Sequence, residues 1–302
     1  MEFFLSPYLK KILNFIKKTI KILILTFKRF YEDKCPDLSF VISYWAFMGT
    51  IPLVALFAYM AANVLGSSEP AFRSLNIFSD EFFVHLDPLF FKRAQYLAKN
   101  ITSLGWLGLI ASILIGSVVF SKLIYSINYI FKANTKKSFF YNRFLELLLM
   151  FAIGGVLLLS LIITGAWTAI HRIIEESELV AKYINPTFVS ILNSFFIKYL
   201  IPVGLTFFVF YALYKFIPHI KVKTKAALIG ASISCILWEI VKRFFAWYIG
   251  NFSLMGIVFA KALKGTLASI IYFLIWVTLS LWILLWGAEL TAILNNREHE
   301  KI

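Results

Sequence analysis

Charge is what this sequence has least of. Only 15% of its 302 residues are Asp, Glu, Lys or Arg, against roughly a quarter in an ordinary soluble domain. Acid is scarcer than base, with 16 Asp and Glu against 30 Lys and Arg. Histidine is rarer still, and His85, His171, His219 and His299 stand alone in separate segments. That spread excludes the clustered ligands that hold ions for metal-dependent phosphodiester cleavage. No G-x-S-x-G turn is present either, which argues against a serine hydrolase. Two cysteines, Cys35 and Cys235, lie far apart and offer neither a disulfide framework nor a metal-ligand spacing. We therefore expect no metal, no other cofactor and no enzymatic activity. The N-terminus lacks an uninterrupted apolar core, because Lys10, Lys11, Lys17, Lys18 and Lys21 break it. It is therefore not expected to act as a cleavable signal peptide.

What the chain has instead is apolar length. Hydrophobic residues make up 60% of it, and several runs exceed the roughly 18 residues a helix needs to cross about 30 Å of hydrocarbon. The expected fold is an all-α polytopic integral membrane bundle of about six transmembrane helices. The spans read as Leu38–Leu65, Leu104–Phe131, Phe144–Ile170, a fourth ending near Tyr214, Ala226–Arg243 and Gly265–Leu294. Small residues recur inside them (Gly116, Gly154, Gly230, Ala231), as expected where membrane helices approach closely. Residues 1–37 form a basic segment ahead of the bundle, 38–294 the six-span domain, and 295–302 a short tail.

Orientation follows from where the basic residues sit. The tails and the connections on their side carry 18 Lys and Arg, and the opposite connections carry 8. The richer side is expected in the cytoplasm, with both termini there. Phe3 to Tyr31 places Lys10, Asn14, Lys17, Lys18, Lys21 and Lys28 near one helical face and Leu13, Ile16, Ile20, Ile24 and Phe27 on another. Such a helix suits an anionic membrane surface, or else packs on the inner face of the bundle. Two outer connections, Ala71–Asn100 and Phe244–Leu263, are dense in aromatics and read as interfacial or re-entrant helices, or as a cap over the bundle. Ile51-Pro52 in span one and Ile201-Pro202 in span four hint at inverted halves, although proline is common enough in membrane helices for coincidence to explain them.

Charges inside the spans are the candidate site. Glu239 lies 14 residues past Lys225, hence about 21 Å into the membrane at about 1.5 Å per residue. A charge left facing lipid there costs about 2.5–3.5 kcal/mol or more, so Glu239 needs a partner. Arg243 and Lys242 follow it at helical spacing, and Lys198 falls at a similar depth in span four. Nearer the cytoplasm, Lys122 and Glu289 are expected to form a second pair. Such pairs either fix helix register or line a polar cavity for an anionic headgroup or ion.

Several segments resemble the YihY/BrkB family of bacterial inner-membrane proteins. Ser43-Tyr44-Trp45 with Thr50-Ile51-Pro52 is similar to its first-span motif, and Ile127-Asn128 to its Leu-Asn position. Tyr214-Lys215-Phe216-Ile217-Pro218 resembles its Tyr-Arg-x-x-Pro loop, and Trp238 to Phe245 with Tyr248 its fifth span. Gly265-Thr266-Leu267, Trp276 and Leu285-Trp286-Gly287-Ala288-Glu289-Leu290 resemble its last span. Trp45, Gly49 and Trp286 depart from the pattern, and the lysine-rich N-terminus lies outside it. The resemblance implies a six-span inner-membrane protein without an agreed activity, some of whose members carry virulence or old ribonuclease labels. Residues and resemblance together give a transporter or flippase of an amphipathic, anionic, lipid-like substrate as the leading expectation. The substrate-binding candidates are Lys198, Glu239, Lys242, Arg243, Lys122, Glu289, Tyr44 and Asn128, with membrane lipids as partners and no nucleic acid. The alternative is a membrane scaffold whose embedded charges only hold the fold.

Overall fold

The computed structural model describes residues 7–49, 106–133, 138, 140–152, 155, 200–252 and 266–299. Every regular element among the described residues is a helix. In chain order these are α1 (Pro7–Glu32), α2 (residues 35–49), α3 (Trp106–Ile130), α4 (residues 140–152), α5 (Ile201–Phe216), α6 (Thr224–Phe252) and α7 (Thr266–His299). Three of them are long and apolar enough to cross a membrane, over Ile113–Ile130, Thr224–Ile249 and Ile270–Asn296, and Pro202–Phe216 is a shorter apolar helix. The described helices thus overlap all six expected spans in whole or in part, with α2 covering residues 38–49 of span one. The segment Ala71–Asn100, the proline of Ile51-Pro52 and Lys198 lie outside the described residues. Pro202 sits in the first turn of α5, where its missing N–H costs no helical hydrogen bond.

One boundary differs from the sequence reading. Span five was expected to stop near Arg243 and hand over to a separate outer segment, but α6 continues unbroken to Phe252. No proline or glycine interrupts Phe244 to Ile249, so the backbone has no reason to turn there.

The hub is α7. It packs against α1, α3, α5 and α6, and its residues 285–293 are all buried. A helix apolar on every side is stable only where neighbours surround it. Two glycines set how closely they come. A methyl on Gly230 of α6 would collide with the Thr291 hydroxyl and come within 3.2 Å of the Gly287 carbonyl. A methyl on Gly287 would collide with the hydroxyls of Ser234 and Tyr214. Tyr214 is wholly buried and donates to the Leu284 carbonyl at 2.9 Å, with the Ser234 hydroxyl 3.0 Å away. Helices α5, α6 and α7 therefore lock at one point, where small residues let one tyrosine reach two neighbours.

The connection between α5 and α6 is pinned at both ends. Asn128 of α3 accepts from the His219 N–H at 2.7 Å, and Asn295 of α7 accepts from the Lys223 N–H at 2.9 Å. Lys215 donates to the Val222 carbonyl and to the Thr224 hydroxyl. Backbone groups outside a helix need partners when buried, and here side chains of distant helices supply them.

Helix α1 shows three faces. Thr26 and Phe30 are buried, Ile22 and Leu23 pack behind them, and Phe30 and Phe27 meet Trp282 and Trp286 of α7 with ring centroids 6.4 and 6.0 Å apart. Lysines cover a second face. Ile16, Ile20, Ile24 and Tyr31 form an exposed apolar stripe along the third. α1 ends as Lys34 turns to a φ of 52° and its N–H bonds the Tyr31 carbonyl at 3.1 Å. α3 ends alike, with Lys132 at the same φ and the N–H of Ala133 reaching the Asn128 carbonyl at 3.0 Å. Glycine is usual at this cap. A lysine there costs roughly 1 kcal/mol of backbone strain, offset in part by about 0.3–1 kcal/mol from a cation at the negative end of a helix.

Candidate functional site

Among the described residues, the embedded charges fall into three separate groups. In the second half of α6, the Lys242 ammonium meets the Glu239 carboxylate at 2.7 Å, with the two side chains only 17% and 15% exposed. The Lys242 nitrogen also stands 4.8 Å from the centre of the Trp238 ring. That contact adds about 0.5–1 kcal/mol, and more where water is excluded. Trp238 is itself held, donating to the Ser280 hydroxyl at 3.2 Å and meeting Trp276 at 5.8 Å between centroids. Of the partners offered to Glu239 by sequence, Lys242 makes this contact; the Trp238 ring on the same helical face positions it. Arg243, one residue on, is exposed, as are Phe244, Trp247 and Tyr248.

The second group surrounds Glu289, which is wholly buried. The expected pair with Lys122 does not form. Lys122 is exposed on the outward face of α3 with Tyr125 and Tyr129, whereas Leu123, Ile124 and Ile127 face the core. Depth along the membrane placed the two together, but their helices turn them apart. Glu289 instead accepts from the Cys35 thiol at 3.8 Å and is in hydrogen-bonding contact with the Asp33 carboxyl, with Arg29 and Lys132 supplying positive charge nearby. Cys35 lies just ahead of span one. Burial, then the neighbouring Glu289, push its thiol up, so it stays a protonated donor.

Sequence reasoning missed the third group. Arg143 and Glu146 pair at 2.7 Å, and the Ser117 hydroxyl of α3 donates to the same Glu146 oxygen at 2.7 Å. Glu146 is buried, and the spacing of Arg143 three residues before an acid in an apolar run was the available signal.

The remaining candidates are dispersed. Asn128 spends its oxygen on His219 and donates its amide to the Ile124 carbonyl at 2.9 Å, so it works as a clamp on the α5–α6 connection. Tyr44 is half exposed on α2, edge-on to Trp45. Cys35 and Cys235 are free and buried. Among the described residues, no three His, Cys, Asp or Glu side chains come together as a metal set.

Comparison with known proteins agrees with the motifs. A UPF0761 membrane protein of Vibrio campbellii is 31% identical over 174 residues, covering 58% of this chain and 50% of that protein. A UPF0761 membrane protein of Acinetobacter baylyi is 25% identical over 305 residues, covering 100% of this chain and 68% of its own length. One of Tolumonas auensis is 26% identical over 279 residues, covering 89% and 83%. The match to the Vibrio campbellii relative thus spans half of that protein's length. No solved structure matches. The model of the virulence factor BrkB family matches residues 26–302, nearly all of the helical bundle, and the chain therefore belongs to that family of bacterial membrane proteins.

Proposed function

We propose that this membrane protein is an inner-membrane transporter or flippase that moves an amphipathic, anionic, lipid-like substrate, has both termini in the cytoplasm and performs no covalent chemistry. The observation that carries this reading is the outer half of α6. There a charge pair lies within an apolar helix long enough to cross a membrane, and an exposed Arg243 stands beside exposed Phe244, Trp247 and Tyr248. Charge is costly inside a membrane, and a guanidinium turned outward among aromatics suits a phosphate or carboxylate headgroup entering from the side. At the other end, the apolar stripe of α1 next to Lys17, Lys18 and Lys21 suits an anionic leaflet.

The scaffold reading has its own support. Lys242 is spent on Glu239, and Asn128 has both ends of its amide occupied. Reconstitution into vesicles separates the two. A fluorescent anionic lipid should cross the bilayer faster with the protein than without it, faster than its neutral counterpart, and several-fold more slowly with Arg243→Gln. A rate equal to that of protein-free vesicles for every headgroup would favour the scaffold.

A further inference from the structure

Two carboxyl groups meet in the interior where α1 turns into α2 against α7. Glu289 is wholly buried, with one oxygen taking the Cys35 thiol and the other, Oε2, left without a hydrogen-bond donor. Asp33, in the turn, buries its Oδ2 equally without a donor, and its carboxyl is in hydrogen-bonding contact with Glu289. A carboxylate only accepts hydrogen bonds, so two carboxyls can bond each other only when one is protonated. Two ionised carboxylates in contact away from water would repel strongly, whereas a shared proton satisfies both orphan oxygens. We propose that Asp33 and Glu289 form a proton-binding site, in which one proton held between them fastens the α1–α2 corner to the last helix.

The charged groups facing the pair fit a single proton. Arg29 from α1 and Lys132 from the turn after α3 offset the one remaining negative charge, and Cys35 from α2 contributes a neutral thiol. A divalent cation fits less well, since the described residues supply no set of three ligands and two cations already lie close. The proton comes from cytoplasmic water and returns to it, with no other bond changed. The site does not depend on the transport reading.

The linkage has a definite sign. A folded state that holds a proton the unfolded chain has already released loses stability as pH rises. Infrared spectra of the full-length protein in detergent, taken from mildly acidic to mildly alkaline pH, should show a protonated carboxyl band that disappears reversibly with base. That band should be missing in Glu289→Gln and in Asp33→Asn, whose amides can donate where the proton sat. Wild-type thermal stability should fall over the same pH range, and the Gln variant should lose that dependence. If Glu289→Gln does not fold, the wild-type band and its loss in Asp33→Asn still decide. A band equally strong in wild type and in the variants that fold, no band at any pH, or an unchanged pH slope in Glu289→Gln would overturn the site.

Discussion

Substituting Gly287 with alanine tests the joint on which the bundle depends. The added methyl would collide with the Ser234 and Tyr214 hydroxyls and approach the Tyr214 ring carbon Cζ to 3.0 Å. Ser234 can rotate its hydroxyl aside, but Tyr214 is wholly buried and stacked 6.0 Å from Phe210, so it has nowhere to go. Overpacking of this kind costs about 1–3 kcal/mol. Displacing the tyrosine also costs its bond to Leu284, about 0.6 and at most about 1.7 kcal/mol for an interhelical bond in a membrane. Alanine returns up to about 1 kcal/mol as the better helix former. The net expectation is a loss of about 1–3 kcal/mol, read from unfolding by a denaturing detergent in mixed micelles. Tyr214→Phe alone should cost about 1 kcal/mol. In the double variant the clash with the Tyr214 hydroxyl is gone, so the two losses should fall short of additive by about 1 kcal/mol. A Gly287→Ala protein within about 0.5 kcal/mol of wild type, or strict additivity, would show that the helices do not meet this closely.

Three further outcomes follow from other contacts. Glu239→Ala should cost about 3 kcal/mol by stranding Lys242, Glu239→Gln less, and exchanging the two residues should recover most of the loss; equal losses for Ala and Gln would mean the ion pair is not what matters. Asn128→Ala and Asn295→Ala should each cost about 1–3 kcal/mol and speed amide exchange at His219 and Lys223 respectively, while unchanged exchange would show other contacts hold the connection. Single cysteines at Ser68 and Ser177 should react with an impermeant thiol reagent on intact cells and cysteines at Thr135 and Thr224 should not, whereas the opposite pattern would invert the orientation.

Helices α3, α6 and α7 were legible because each is a long apolar run, α1 because its lysines and apolar residues recur at helical spacing, and the α5–α6–α7 joint was half legible. Its small residues could be seen in Gly230 and Ala231, and the family resemblance drew attention to Tyr214 and to the segment that holds Gly287 and Glu289. What those residues do to one another was not visible, because it depends on a contact between positions 70 apart. Local pairs were easier. Glu239 and Lys242 lie three residues apart on one helix, and Arg143 with Glu146 follows the same rule, although only the first was sought. The pairing of Lys122 with Glu289 failed because residue counting gives depth along a helix and not the direction a side chain faces. Tyr125 and Tyr129, spaced from Lys122 by three and seven residues, share its exposed face.

The same geometry separates the two ends of the bundle. At one end Glu289, Asn295 and Asn128 each bind a segment that no helix of their own could hold: the α1–α2 corner, then the two ends of the α5–α6 connection. Each of these contacts crosses between elements far apart in sequence, so loosening one frees a whole segment. Around Glu239 the ion pair is local, made with Lys242 within α6, and the tie to a neighbouring helix there is Trp238, which donates to Ser280 of α7 at 3.2 Å. Loss of the ion pair therefore leaves this tie to α7 in place, whereas loss of a contact at Glu289, Asn295 or Asn128 frees a segment.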